Sequence, residues 1–192
     1  MKKRIAIFAS GSGSNAQKIM EHFKRNADAE VVLILTNNPQ AYVLQRADNF
    51  EIPSHIFTRH EFYDTDDVIS LLKNLQVDII VLAGFLWLVP PSLLNAFPNK
   101  IINLHPALLP KFGGKGMYGD NVHKAVLAAG EEESGITIHF VNTQFDEGEI
   151  IHQSRFKIEP GDNLEMVKFK GQQLEHQHFP KVIENLLKKM RS

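Results

Sequence analysis

Arg4-Ile5-Ala6-Ile7-Phe8-Ala9-Ser10-Gly11-Ser12-Gly13-Ser14-Asn15 opens the chain's structural logic. The apolar run reads as a short buried strand, and Ser10–Asn15 as a glycine-rich turn. Ala16–Phe23 then carries Ile19, Met20 and Phe23 at a helical spacing. A turn between a strand and a helix points backbone N–H groups and a helix start at an anion, and the serine and Asn15 side chains add donors. The same residues also make a tight turn that needs no ligand. No Gly-Lys-Ser/Thr closes the turn, so it is not a nucleotide P-loop. Gly11, Gly13 and Ala16 satisfy G-x-G-x-x-A, which raises dinucleotide binding. That use wants a carboxylate at the end of the second strand. Here Val31–Leu35 ends in Thr36-Asn37-Asn38-Pro39. The turn is therefore read as a site for one phosphate monoester.

Outward from this unit, strand and helix alternate. A helix is expected over Ala41–Asn49 and a third strand over Ser54–Phe57. Arg59–Asp64 reads as a loop leading into a helix from Asp66 to Leu75. Val77–Ala83 is an apolar strand too uniformly buried for a sheet edge. Gly84-Phe85-Leu86-Trp87-Leu88-Val89-Pro90-Pro91 reads either as a loop packed on the core or as one wall of a slot for a flat heteroaromatic ring. Lys100–His105 is the next strand, followed by a long Pro/Gly-rich loop and a helix over Gly119–Ala129. Gly135–Phe140 alternates apolar with polar, which makes His139 a cross-strand residue. Val141–Glu149 is a loop and Glu149–Lys157 the final strand. Asn163–Met190 reads as one helix, interrupted or bent at Pro180. The expected fold is α/β, a mostly parallel twisted sheet with helices on both faces and a single domain over residues 1–192.

Composition narrows the function classes. The 192 residues are 43% hydrophobic and 22% charged, with a formal net charge of -1. Nucleic-acid affinity needs clustered positive charge, so this balance argues against it. Cysteine is absent, which removes disulfides and thiolate nucleophiles and fits a reducing compartment. No apolar run approaches the length of a membrane span, and the cytoplasm is the expected location.

The chemistry is sought at Asn103-Leu104-His105-Pro106 and at Asp146 downstream. The first stretch ends a strand, where open α/β sheets bind ligands. An amide donor, an imidazole and a carboxylate suit a reaction passing through a tetrahedral oxyanion. Strand alternation puts Asn103 and His105 on one side. A strand-end histidine alone is as compatible with a structural role. Nine histidines invite a metal, but no H-E-x-x-H occurs and no metal is expected. No G-x-S-x-G elbow supplies a serine nucleophile. Direct transfer between two bound substrates is the simplest remaining scheme.

FASGSGSN, LAGF, INLHPALLPKF and GITIHFVNTQFDEGEII closely resemble the phosphoribosylglycinamide formyltransferase family, folate-dependent enzymes of purine (IMP) biosynthesis with a Rossmann-like fold. N-x-H-P-x-L-L-P and H-F-V-x(4)-D-x-G are the most specific parts. The resemblance implies transfer of a formyl group from 10-formyltetrahydrofolate to the amine of glycinamide ribonucleotide, with no metal. It implies His105 as proton carrier, Asn103 as holder of the oxyanion, and Asp146 as the group orienting the imidazole and a water. It assigns the substrate phosphate to Gly13, Ser14 and Asn15, with Glu175 contacting the same substrate. It assigns the folate to Leu86, Trp87, Leu88, Val89, Asn103, Asn142, Thr143, Gln144, Phe145 and Asp146. The expected partners are these two small molecules, with neither nucleic acid nor membrane, in a monomer or homodimer.

Three departures accompany the resemblance. Many members carry Gly-Leu-His-Thr-His where this chain has a longer glycine-rich stretch over residues 114–123, with only His123 corresponding. Leu86-Trp87 replaces Met-Arg. An arginine that contacts folate in some relatives has no secure counterpart near Phe62–Asp66. Within the superfamily, methionyl-tRNA formyltransferases typically append a C-terminal β domain and formyltetrahydrofolate hydrolases an N-terminal regulatory one; neither is expected here. A non-catalytic phosphosugar or dinucleotide-binding module is the alternative of a different class. One electrostatic expectation follows: a carboxylate beside His105 should raise its pKa.

Overall fold

The computed structural model describes residues 1–190, so the last two residues of the expected domain lie outside the described residues. Its strands are β1 (Lys3–Phe8), β2 (Ala29–Thr36), β3 (Ser54–Ile56), β4 (Ile79–Leu82), β5 (Ile101–His105), β6 (Glu133–Phe140) and β7 (Ile150–Lys157). They form one sheet in the order β3-β2-β1-β4-β5-β6-β7. Strands β1 to β5 are parallel, β6 runs against β5, and β7 runs against β6. The helices are α1 (Ser14–Phe23), α2 (Val43–Asn49), α3 (Arg59–Tyr63), α4 (Asp67–Asn74), α5 (Pro91–Ala96), α6 (Asp120–Ala128) and α7 (Leu164–Lys189).

Alternation along β1 explains the two cores. Ile5, Ile7 and Ala9 face one side, packed with Val43 of α2 and with Phe179 and Ile183 of α7. Ala6 and Phe8 face the other, packed with Phe62 of α3, Leu72 of α4 and Leu93 of α5. With both faces covered, β4 and the Ile5–Phe8 part of β1 are apolar at every position. Each fully buried large side chain contributes about 1.5–3 kcal/mol.

Three local expectations change. Arg59–Tyr63 is a short helix and not a loop. Thr58 caps it by accepting from the Glu61 backbone N–H, while the Glu61 carboxylate accepts from the Thr58 N–H. Pro90-Pro91 starts another helix, since a proline at its first position forfeits no helical hydrogen bond. The last helix runs unbroken through Pro180. The missing N–H costs a helical bond to the carbonyl four residues back, offset by burial of Phe179, Pro180, Val182 and Ile183.

The chain fills the sheet outward from β1 to β3, then returns to lay β4 on the other side of β1. Ligands in such sheets bind outside the carboxyl ends of the strands at that reversal. The turn after β1 and the 84–89 segment after β4 both sit there. Ser10 joins them: its Oγ accepts from the Leu86 N–H at 3.1 Å and donates to Asn37 Oδ1 at 2.7 Å.

Candidate active site

A cavity of about 600 Å³ opens along this edge. Asn15, Glu175, Leu86–Val89, Asn103, His105 and Asp146 all line it. Among the folate-assigned residues, Gln144 and Phe145 also line it, whereas Asn142 and Thr143 are exposed and stand outside its wall. Gly13 and Ser14 likewise lie off the lining, with Gly13 buried behind it.

Asn103 and His105 alternate with buried Leu104 on β5 and so share a face. The loop that follows is fixed from β6 and β7. Thr137 Oγ1 donates to the Ala107 carbonyl at 2.7 Å and accepts from the Leu109 N–H at 3.0 Å, while Gln153 Nε2 donates to the Leu109 carbonyl at 2.9 Å. This anchoring brings the Phe112 carbonyl to 2.7 Å from His105 Nε2. A carbonyl only accepts, so the hydrogen sits on Nε2. Nδ1, the basic nitrogen, faces Asp146 Oδ2 at 3.4 Å.

Asp146 adopts a positive φ of 58°, a conformation that aspartate tolerates better than most residues. Its Oδ2 accepts from the Gly114 N–H at 3.0 Å. Its Oδ1 lies 3.4 Å from Asn103 Nδ2 and 3.5 Å from His139 Nε2. His139 is the direct cross-strand partner of Asn103. Its Nδ1 lies 2.8 Å from the Phe140 carbonyl and so carries the hydrogen. Nε2 is then free to accept from Asn103 Nδ2 at 3.2 Å. The cross-strand reading of His139 is correct but incomplete, because the register with Asn103 was needed to see that it orients the amide.

Electrostatics correct one expectation. The His105 pKa is lowered, not raised: burial removes water from the imidazolium, and this outweighs the upward pull of the Asp146 charge and of the Phe112 carbonyl. Burial opposes the charge of Asp146 as well, but the adjoining His139 and His105 imidazoles and the Gly114 N–H together hold its carboxyl below the usual range. The centre at neutral pH is thus a neutral imidazole beside a carboxylate. Glu175 is raised by burial, and its partner is Asn15, whose Nδ2 donates at 2.6 Å. His123 also lines the cavity; burial lowers its pKa, and its Nδ1 has no partner among the described residues.

On the cavity wall, Trp87 packs against Tyr63, Phe62, Phe57 and Phe85. The Tyr63 hydroxyl donates to the Leu88 carbonyl at 2.9 Å. The 84–89 segment therefore packs on the core and also walls the cavity. Lys168, Phe169 and Gln172 of α7 also line the cavity. Sequence reading passed over them because a helical stripe of this kind looks like any solvated face.

The sequence model of the formyl transferase family matches residues 3–183. The chain belongs to this family. A phosphoribosylglycinamide formyltransferase of Bacillus subtilis is 38% identical over 190 residues, covering 96% of this chain and 95% of the relative. A chloroplastic phosphoribosylglycinamide formyltransferase of Arabidopsis thaliana is 39% identical over 95% of this chain, which spans 64% of that relative's length. The crystal structure of phosphoribosylglycinamide formyltransferase from Bacillus halodurans superposes with a TM-score of 0.87 at 38% identity, covering 98% of this chain and 97% of that one. The formyl transferase fold thus places its seven-stranded sheet here as the sequence led one to expect. Among the described residues no helix is long and apolar enough to cross a membrane, and no group of three acidic or histidine side chains is placed to hold a metal.

Proposed function

We propose that this chain transfers the formyl group of 10-formyltetrahydrofolate to the amine of glycinamide ribonucleotide, within purine synthesis, as one catalytic domain. The convergence of Asn103, His105 and Asp146 on one cavity with polar and apolar walls carries the reading. Asn15 and Glu175 on its wall, with Gly13 and Ser14 just off it, suit a phosphoribosyl group. Leu86–Val89, with Gln144 and Phe145, suits a pteridine ring.

In this scheme the substrate amine attacks the formyl carbon, forming a C–N bond and a tetrahedral oxyanion. Asn103 Nδ2, held by His139 Nε2, gives up its long contact to Asp146 Oδ1 and donates to that oxygen. His105 Nδ1 takes the proton released by the attacking nitrogen, and the resulting imidazolium is stabilised by Asp146. As the bond from carbon to folate N10 breaks, His105 returns that proton to N10. Tetrahydrofolate and the N-formyl ribonucleotide leave. No metal enters any step. The lowered pKa of His105 supports its role, because the base must be neutral before it can accept the proton.

The test is optical. Purified protein, glycinamide ribonucleotide and 10-formyltetrahydrofolate are mixed and folate deformylation is followed. Consumption should require the ribonucleotide. Folate consumed without it would make the chain a hydrolase, and none under either condition, in folded protein, would return the binding-module reading.

A further inference from the structure

The glycine turn after β1 does not hold its own shape. Three contacts from α2 hold it from behind. The Val43 N–H donates to the Gly11 carbonyl at 3.2 Å. Arg46 Nε donates to the Ser12 carbonyl at 2.7 Å. The Val43 side chain fills the space beside Gly13, where a Cβ would come within 2.5 Å of its methyl carbon. Gly13 has φ 69°, so it is glycine for both reasons.

Across a trans peptide the C=O and the next N–H point in opposite directions. Drawing the Gly11 and Ser12 carbonyls toward α2 therefore turns the N–H groups of Ser12 and Gly13 the other way. Among the described residues neither N–H has an acceptor. Consecutive N–H groups aimed together at the start of a helix form an anion cradle. Arg46 is itself held fast: its second contact is Gln17 Oε1, on the first turn of α1, and its guanidinium lies 4.8 Å from the Tyr42 ring centroid. Gln17 is held in turn by Glu21 at 2.7 Å. A guanidinium grips a carbonyl and an amide oxygen together through a rigid planar fork, whereas an ammonium's rotatable donors are not preset for the pair. A charged donor on the carbonyl also polarises the peptide, which strengthens the N–H on its other side.

From this geometry we infer that Arg46 is a positioning residue for substrate phosphate: it holds the Ser12 carbonyl away from the site so that the turn's N–H groups face the anion. It touches no substrate. The inference rests on the proposed phosphate site at Gly13–Asn15, and the test separates the two.

Kinetics are measured with glycinamide ribonucleotide and with its dephosphorylated nucleoside, in wild type, Arg46→Gln, Arg46→Lys and Gln17→Met. Arg46→Gln should raise KM for the ribonucleotide about tenfold, the worth of one charge-assisted hydrogen bond, with kcat and the folate KM within twofold. Inhibition by inorganic phosphate, competitive with the ribonucleotide, should weaken in parallel. Arg46→Lys should restore part of the loss, and Gln17→Met should weaken binding less than Arg46→Gln. With the nucleoside, Arg46→Gln and wild type should be alike. An equal loss on both substrates would overturn the proposal in favour of general damage to α2, and an unchanged KM would overturn it outright. A wild type that handles both substrates equally would remove the phosphate site and the role of Arg46 with it. Should Arg46→Gln fail to melt cooperatively, Gln17→Met carries the same comparison.

Discussion

His105 sits in a contest between burial and charge. Desolvation lowers its pKa, and Asp146 at 3.4 Å recovers only part of the loss. The acid limb of kcat/KM should accordingly lie below the ordinary imidazole value of about 6.5. Replacing Asp146 by Asn removes the charge that favours imidazolium, so the His105 pKa should fall further. Titration of the ring by NMR, in wild type and Asp146→Asn, reads this directly; a rise on substitution would contradict the assignment. His105→Ala should lower kcat by about 10²–10⁴-fold, the usual contribution of a positioned acid or base, with little change in KM. Asn103 and His105 were readable from the sequence because strand alternation alone puts them together. His139 was not, because its role depends on a register between two strands that local pattern does not specify. Nor was the sign of the His105 shift, since a neighbouring charge is visible in a motif and the depth of burial is not.

At the level of elements, the centre depends on how β6 gives way to its loop. Gly148 lies so close to the Phe140 carbonyl that a Cβ would come within 1.6 Å of the oxygen. Gly148→Ala must therefore shift the loop that carries Asp146. It should cost about 1–3 kcal/mol of stability and lower kcat as well, checked by urea unfolding and steady-state kinetics. On α7, Glu175 presents the opposite case. Its carboxyl is raised by burial, so ionisation costs more in the folded chain than in the unfolded one, and stability falls as pH rises above the ordinary glutamate value. Glu175→Gln should thus melt higher than wild type at pH 7 while its ribonucleotide KM increases. The strands and long helices were legible because their apolar periods are strong. Helix α3 was overlooked although Thr58 and Glu61 spell its cap, because five residues show no period. One helix over this stretch was legible too; an interruption at Pro180 was not ruled out by sequence, because the rule that proline breaks a helix omits what the neighbouring buried side chains contribute.

For the molecule as a whole, two apolar cores share one sheet, and neither is expendable. Phe8 is fully buried against Phe57, Phe62 and Phe85, and Phe8→Ala should cost about 3–5 kcal/mol in denaturant unfolding. Global stability should also decline in mild acid. His105 and His123 both have lowered pKa values when folded. They bind protons more readily unfolded, so the fold weakens as pH drops through about 6.5 toward their folded values. Melting curves over that range check the sign.

The glycine turn and the 84–89 wall of the cavity are backed by opposite faces of the sheet. Val43, behind the glycine turn, belongs to the core under α1, α2 and α7, whereas Phe85, Val89 and Trp87 belong to the aromatic core under α3, α4 and α5. Under the proposed reaction, sequence drift behind one face would retune the fit for one reactant without disturbing the other. Acceptor choice and donor choice would then be separately heritable traits.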